Sequence, residues 1–374
     1  MSELNASNLR KEQGNEGPDL VGVTELTSPY FMVPPSGTTA ERPENPQPGT
    51  LRFNTDSGSL EYFKGDTIGW ETIDRVPSAP IGGRGLFIGG HAPVAANVID
   101  YITIASAGNA KDFGDLTKLS AVGGALGSST RAVHGGGYTG SANTDIIDFG
   151  EFATLGNFAD FGDLINDRHW VQSGCNQVRG LFATGHGSPS LLNNIEYITI
   201  ASPGNGTDFG DSSTGNSTNG MGCIGDSTRA LFAGGSSPDT DTIEYVTIMS
   251  TGNGIDFGNL LADPTRRTGR CSSSTRGLFA GGESPSAQNV VQYVTIQTLG
   301  NSVDFGDLTS ARTDLAGCAN ATRGVFGGGN ISPTFVNTID YVTIATLGNA
   351  LDFGDLVQTA NHNTACSNMN GGLL

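Results

Sequence analysis

The sequence predicts an all-β protein, a six-bladed β-propeller, and three observations predict it. Asp-Phe-Gly occurs six times, opening at Asp112, Asp160, Asp208, Asp256, Asp304 and Asp352, and every step is 48 residues. A period this strict means six copies of one supersecondary unit, stacked or set in a ring. Glycine makes up 56 of 374 residues and charged residues only 15%, which suits short strands and tight turns and suits helices poorly. Each repeat also holds four short strand-like segments, the number found in a propeller blade.

Taken in order, residues 1–48 are polar and, toward their end, proline-rich at Pro34, Pro35, Pro43, Pro46 and Pro48. They are expected to form an extended arm with little core. Residues 49–75 parse as a small meander of three strands, with turns at Asp56-Ser57-Gly58 and between Asp66 and Gly69. A piece this short cannot bury enough surface alone, so it should pack on something larger.

Residues 76–374 carry the repeats. In the unit opening at Arg276, Gly277-Leu278-Phe279-Ala280 reads as a buried strand stopped by Gly281-Gly282. Asn289 to Ile296 is a second strand, apolar on both faces, as a blade covered by two neighbours requires. Gly300-Asn301 is a turn, Ser302 to Leu308 a third strand, and the segment around Cys318 a fourth. Arg84, Arg131, Arg179, Arg229, Arg276 and Arg323 head the glycine-stopped strands. Their expected role is structural, with one aspartate of each Asp-Phe-Gly-Asp stretch bonding an arginine of the next blade or capping a turn.

Cys175, Cys223, Cys271, Cys318 and Cys366 share one repeat position, held by Leu126 in the earliest copy. That pattern reads as a buried apolar site with free thiols. Equivalent sites in neighbouring blades are expected to lie too far apart for a disulfide. The innermost strands fall at 126, 175, 223, 271, 318 and 366, and the glycine-stopped ones at 84 to 323, offset by one. The economical solution is a ring in which Thr364–Asn368 completes the blade begun at Arg84, removing the open edges.

The apolar strand ending in Gly-Gly, the Tyr-bearing strand and the aromatic-bearing strand together resemble a Kelch-type β-propeller over about residues 83–374, with Phe where that family usually has Trp. The resemblance implies the fold and not a function, since such propellers serve enzymes and adaptors alike. The stretches Leu51-Arg52-Phe53-Asn54-Thr55, Leu60-Glu61-Tyr62 and Gly69-Trp70 resemble small β-modules of bacteriophage tail fibres and other virion appendages. This second resemblance implies a virion protein, assembled in the host cytoplasm, whose N-terminal part anchors it to other virion proteins. The anchoring residues would be Tyr30, Phe31, Leu51, Phe53, Tyr62 and Trp70.

Formal net charge is −18, which disfavours phosphate backbones and hence nucleic acid. The N-terminal residues have no secretory h-region, no apolar run is long enough to span a bilayer, and a soluble product made in a cytosol is expected. His91, His134, His169, His186 and His362 lack zinc-ligand spacing, and His91 and His186 fall in similar turns that read as surface. No nucleophile elbow is present. The expectation is no enzyme, no cofactor and no metal; calcium is the one ion the oxygen-rich loops would suit.

Loops after Gly-Gly and loops between blades share one face and vary from copy to copy, and variable loops on a rigid scaffold are where specificity sits. Candidate ligand-binding residues are Arg168, His169, Trp170, His186, Arg266 and Arg267. Trp170 either stacks on a sugar ring or packs between blades. The expected function is attachment to a host-surface glycan, in multiple copies per particle. The alternative is a purely structural virion component, such as a capsid decoration, collar or baseplate element, without receptor binding.

Overall fold

The computed structural model describes residues 34–56, 59–66, 69–72, 83–91, 93–213, 221–235, 240–261, 267–283 and 285–371. The chain divides into two compact units, Met1–Val76 and Pro77–Leu374. Apart from a three-residue 3-10 turn at Thr39–Glu41, the regular structure among the described residues is all β.

In the smaller unit, Leu51–Asn54, Ser59–Phe63 and Trp70–Thr72 form the expected antiparallel meander. Part of the preceding arm is not merely extended. Ser36–Gly37 adds a parallel strand beside Leu51–Asn54, and Arg42 reaches Glu61. Glu61 is buried and receives Arg42 Nη2 at 2.6 Å and Asn54 Nδ2 at 3.1 Å, with Arg52 Nη1 at 3.3 Å. The Arg42 hydrogen bonds hold its carboxyl below the ordinary range despite burial. Alternation along the strands puts Leu51, Phe53, Leu60 and Tyr62 on the other face, where all four are only half-buried.

The larger unit is a succession of antiparallel sheets, each running from an innermost to an outermost strand. The second is Gly124–Gly127, Arg131–Gly135, Thr144–Glu151 and Ala159–Arg168. The third is Gln172–Cys175, Arg179–Ala183, Asn194–Thr199 and Thr207–Asp211. The fifth and sixth repeat the order, from Gly269–Ser272 to Val303–Asp307 and from Ala316–Ala319 to Leu351–Asp355, and these two four-strand runs are joined through Met221–Gly222 into one nine-stranded sheet. In the fourth, Arg229–Gly235, Thr240–Thr247 and Ile255–Asn259 pair, while the short Met221–Gly222 lies parallel to the innermost strands of the fifth and sixth. The first sheet takes its innermost strand from the far end of the chain. Thr364–Ser367 pairs antiparallel with Arg84–Ile88, with Cys366 opposite Leu86.

Neighbouring sheets are joined by three recurring sets of bonds, and each set also joins the sixth sheet to the first. The Phe carbonyl of each Asp-Phe-Gly accepts the N–H of the next Gly-Asn turn, from Phe113 with Gly156 at 2.9 Å to Phe353 with Gly108 at 2.7 Å. The turn's asparagine oxygen accepts the N–H of the residue after Asp-Phe-Gly, from Asp115 to Asn157 at 3.1 Å through to Asp355 and Asn109 at 3.2 Å. Each strand-heading arginine donates Nη1 to a carbonyl of the next sheet, from Arg131 to Ile200 at 3.0 Å through to Arg323 and Ile104 at 3.3 Å.

The geometry explains the motif. A Cβ on Gly114 would stand 2.4 Å from the Gly156 carbonyl oxygen, and Gly114 has a φ of +146°, so glycine is required on both counts. The arginines do not pair with the aspartates of the motif. Each lies over the aromatic of its own third strand, as Arg179 does over Tyr197 at 4.1 Å, an arrangement that leaves the fork free to reach the next sheet.

The five cysteines are free and buried, but the separation expected of equivalent sites is overturned. Cys175 Sγ and Cys223 Sγ are 3.5 Å apart. Innermost strands of successive sheets lie side by side and parallel, as the Ser173–Cys223 bridge shows, so equivalent side chains meet. The sulfurs remain well outside the roughly 2.05 Å of a covalent bond.

A second repeat position escaped the sequence reading. Asp100, Asp148, Glu196, Glu244, Gln292 and Asp340 are buried at one register of the third-from-edge strand. Each takes an N–H or O–H from the segment that leaves the preceding sheet, as Glu196 does from Ile165 at 2.8 Å and Asp340 from Thr309 Oγ1 at 2.7 Å.

Candidate functional site

Backbone conformation marks the site before any side chain does. Val122, Trp170, Arg267, Asp314 and His362, one from each of five repeats, have left-handed φ values of 56 to 63°. Such a conformation is uncommon for residues with a Cβ and is an outlier for valine. It persists because each residue is held by its neighbour in the next repeat. Trp170 N–H donates to Val122 O at 2.7 Å, Val122 to His362 at 2.9 Å, His362 to Asp314 at 3.1 Å and Asp314 to Arg267 at 2.9 Å. The series thus passes from the sixth repeat to the first without a break.

Around these residues lies a concavity of about 340 Å³, lined by His91, Ala121, Val122, Tyr138, His169, Trp170, Phe335, Asn361 and His362. Its rings form a continuous arc. From Tyr138 to His169 the centroids are 5.8 Å apart, to Trp170 6.0 Å, to His362 5.0 Å, to His91 6.4 Å and to Phe335 6.2 Å. His186 stacks outside the arc, 5.1 Å from His169. A larger hollow of about 480 Å³ beside Arg84, Tyr101 and Asn109 is a by-product of the repeat, since Tyr341 and Asn349 line an equivalent one.

Three polar groups brace the arc from behind. Asp314 is buried and lies 3.1 Å from His362 Nε2 and 3.6 Å from Arg267 Nη1. Burial alone would raise the Asp314 carboxyl, but His362, Arg267 and Thr313 together hold it below the ordinary value. Arg267 also faces Glu283 at 3.6 Å. His169 Nδ1 meets Asn143 Oδ1 at 2.8 Å, and burial, with His186 adding to it, pushes its pKa down to about 4. His91 is lowered in the same direction by burial and then by His362. At neutral pH the His91 and His169 rings therefore act as uncharged aromatic walls.

The residues singled out from sequence separate into distinct groups. His169, Trp170 and His186 come together at the concavity, and Arg267 joins through Asp314. Arg168 does not face solvent and is corrected to a structural residue. It is 0% exposed, donates to Thr184 and Asn194 carbonyls at 3.1 and 3.2 Å, and is ion-paired with buried Glu196. Both terminal nitrogens of the guanidinium are engaged, and only Nε is left without a partner. Arg266, Tyr30 and Phe31 lie outside the described residues. Leu51, Phe53, Tyr62 and Trp70 are half-buried in the smaller unit, Trp70 beneath the Arg42 and Arg52 guanidiniums. Of the two readings of Trp170, the packing one is met, since it packs against a buried cluster, and its ring also lines the concavity.

Asp314 and His362 were missed, while His91, Tyr138 and Phe335 fall in the variable loops 91–96, 138–143 and 330–336 without being singled out. One signal was available: Val122, Trp170, Asp314 and His362 are spaced by multiples of 48 residues, so two rings and an acid fall at one register. Among the described residues no group of three or more His, Cys, Asp or Glu could hold a metal ion. Comparison of the chain with known protein families and with curated proteins finds no match.

Proposed function

We propose that the chain is a six-bladed, Kelch-like β-propeller that works as a binding module, carried on a bacteriophage virion as a tail fibre or similar appendage and attaching to a host-surface glycan. The fold reading is supported by the cyclic bonds among the six repeats and by the pairing of Thr364–Ser367 with Arg84–Ile88. The binding reading rests on one observation, the arc of six rings around a 340 Å³ concavity built from loops that differ between repeats. No reaction is proposed. The virion reading rests on the resemblance of residues 51–70 to appendage modules, and the half-buried Leu51, Phe53, Leu60 and Tyr62 give that module an apolar face for a virion partner. Many copies on one particle would convert weak single-site binding into firm attachment.

The test is a glycan array probed with the full chain and with Trp170→Ala. Binding by the wild type that falls at least about ten-fold in the variant is expected; an array without signal for the wild type overturns the glycan reading. Antibody labelling of particles that carry the gene tests the virion reading separately, and particles devoid of label overturn it. A second reading, a purely structural virion component, is favoured by exposed apolar side chains along the outer edges of the fifth and sixth repeats. Leu299, Val303, Leu347 and Leu351 are each more than half exposed, and exposed apolar side chains repeated at this register suit a protein neighbour.

A further inference from the structure

We infer that the concavity takes one uncharged pyranose ring, the end residue of a glycan, and rejects acidic sugars. The inference rests on the glycan reading above and names its ligand class.

Charge is the first argument. None of the nine lining residues is Asp, Glu, Lys or Arg. A carboxylate or phosphate on the ligand would need a free cation. Among the described residues, the Arg267 guanidinium that joins the site through Asp314 already faces Asp314 and Glu283, each at 3.6 Å. His362 lies against Asp314 at 3.1 Å. His91 and His169 are disposed to stay neutral, because burial opposes their charged forms. The protein's net charge of −18 adds a long-range field that repels anions.

Shape is the second. A volume of about 340 Å³ is near the lower limit for small-molecule sites, about 300 Å³. One ring fits within it, and a chain of sugars would have to lie outside. The rings of Trp170 and His362 stand nearly perpendicular, at 88° with centroids 5.0 Å apart. A ring face carries negative potential, and the C–H bonds on the apolar side of a pyranose present the matching positive edge.

Polarity is the third. Asn361 lines the concavity, and its carboxamide oxygen has no hydrogen-bond partner. A buried acceptor left unpaired destabilises the fold until a donor reaches it. That oxygen is shut off from solvent, so the Asn361 side chain must turn toward the concavity to take a sugar hydroxyl, whereas an alkylammonium cage would need no acceptor of this kind. Apolar walls with one or two fixed polar groups match what a hydroxyl-bearing ring with an apolar face requires.

The experiment is saturation-transfer NMR on the full chain. The probes are the methyl glucopyranoside, galactopyranoside and mannopyranoside, glucuronate, N-acetylneuraminate and tetramethylammonium. At least one neutral methyl pyranoside should receive saturation, strongest on the protons of one ring face, while the two acids receive none. Trp170→Ala and Phe335→Ala should each weaken that signal about ten-fold, and Asn361→Ala should do the same through the lost acceptor. Phe335 lies outside the left-handed series, so its variant tests the site even if Trp170→Ala misfolds. Saturation of an acidic sugar in place of neutral ones overturns the inference and leaves the glycan reading standing. A positive glycan array with silent monosaccharides also overturns it, because the site would then read several residues. Saturation of tetramethylammonium alone overturns both.

Discussion

Asp100 is a buried acid with one oxygen unpartnered, and replacing it with asparagine should stabilise the protein at neutral pH. It is 5% exposed, accepts one bond from Val357 N–H at 3.0 Å, and its Oδ1 has no partner. Its counterparts are better served. Asp148 has Lys118 at 3.6 Å, Asp340 has Arg312 at 2.9 Å, and Glu244 accepts from Ser212 and Ser213. Burial first, then nearby Asp112, pushes the Asp100 carboxyl up from 3.8 to about 6. At 1.36 kcal/mol per unit that is about 3 kcal/mol. The folded state binds this proton more tightly than the unfolded chain does. Stability therefore falls as pH rises from about 4 to about 6, and the full penalty is present above that window. Asp100→Asn removes the penalty and resembles the natural Gln292 at the same register. For a unit of roughly 300 residues, the unfolding entropy is about 0.6 kcal/mol per kelvin. The variant should melt about 5 °C above the wild type at pH 8 and level with it at pH 4, read by calorimetry across that range. A gap that does not change with pH, or a variant that melts lower at pH 8, refutes the reasoning.

Other predictions concern the joints between repeats. Gly354→Ala places a Cβ 2.6 Å from the Gly108 carbonyl carbon at a φ of +145°, whereas Gly108→Ala at +153° meets nothing within 4 Å. Urea unfolding should show the first costing roughly 3 kcal/mol or more and the second only about 1–2 kcal/mol of backbone strain; equal losses would show that the close approach is unimportant. Deleting residues 364–374 strips the partner from Arg84–Ile88 and uncovers an edge. Light scattering should then report self-association, and a monomer with an unchanged melting point would contradict the role given to this strand.

Much of the fold was legible because the main-chain requirements recur with the period. Asp-Phe-Gly and Gly-Asn are the two halves of one joint, so both are repeated wherever the joint is. The partner of each half was not legible, since the joint spans two repeats and a single copy reads as an isolated turn. Charged positions misled in a different way. Arg168 looked like a loop cation because its buried partner Glu196 lies 28 residues on, at a register where acids, an amide and different cations interchange. At the concavity, Val122, Trp170, Asp314 and His362 share a backbone conformation and no chemistry, and residue type alone does not reveal that. His91 and Phe335 come from loops unlike one another in sequence, so only the folded chain brings them within 6.2 Å.

The joints between successive sheets are written largely in peptide groups, with the Asn and Arg side chains as the constant additions. Cohesion of that sort is indifferent to the lettering of the loops at the concave end. Descendants of this chain can therefore rewrite the contents of that hollow, substitution by substitution, while the scaffold beneath goes on holding together by the same grammar.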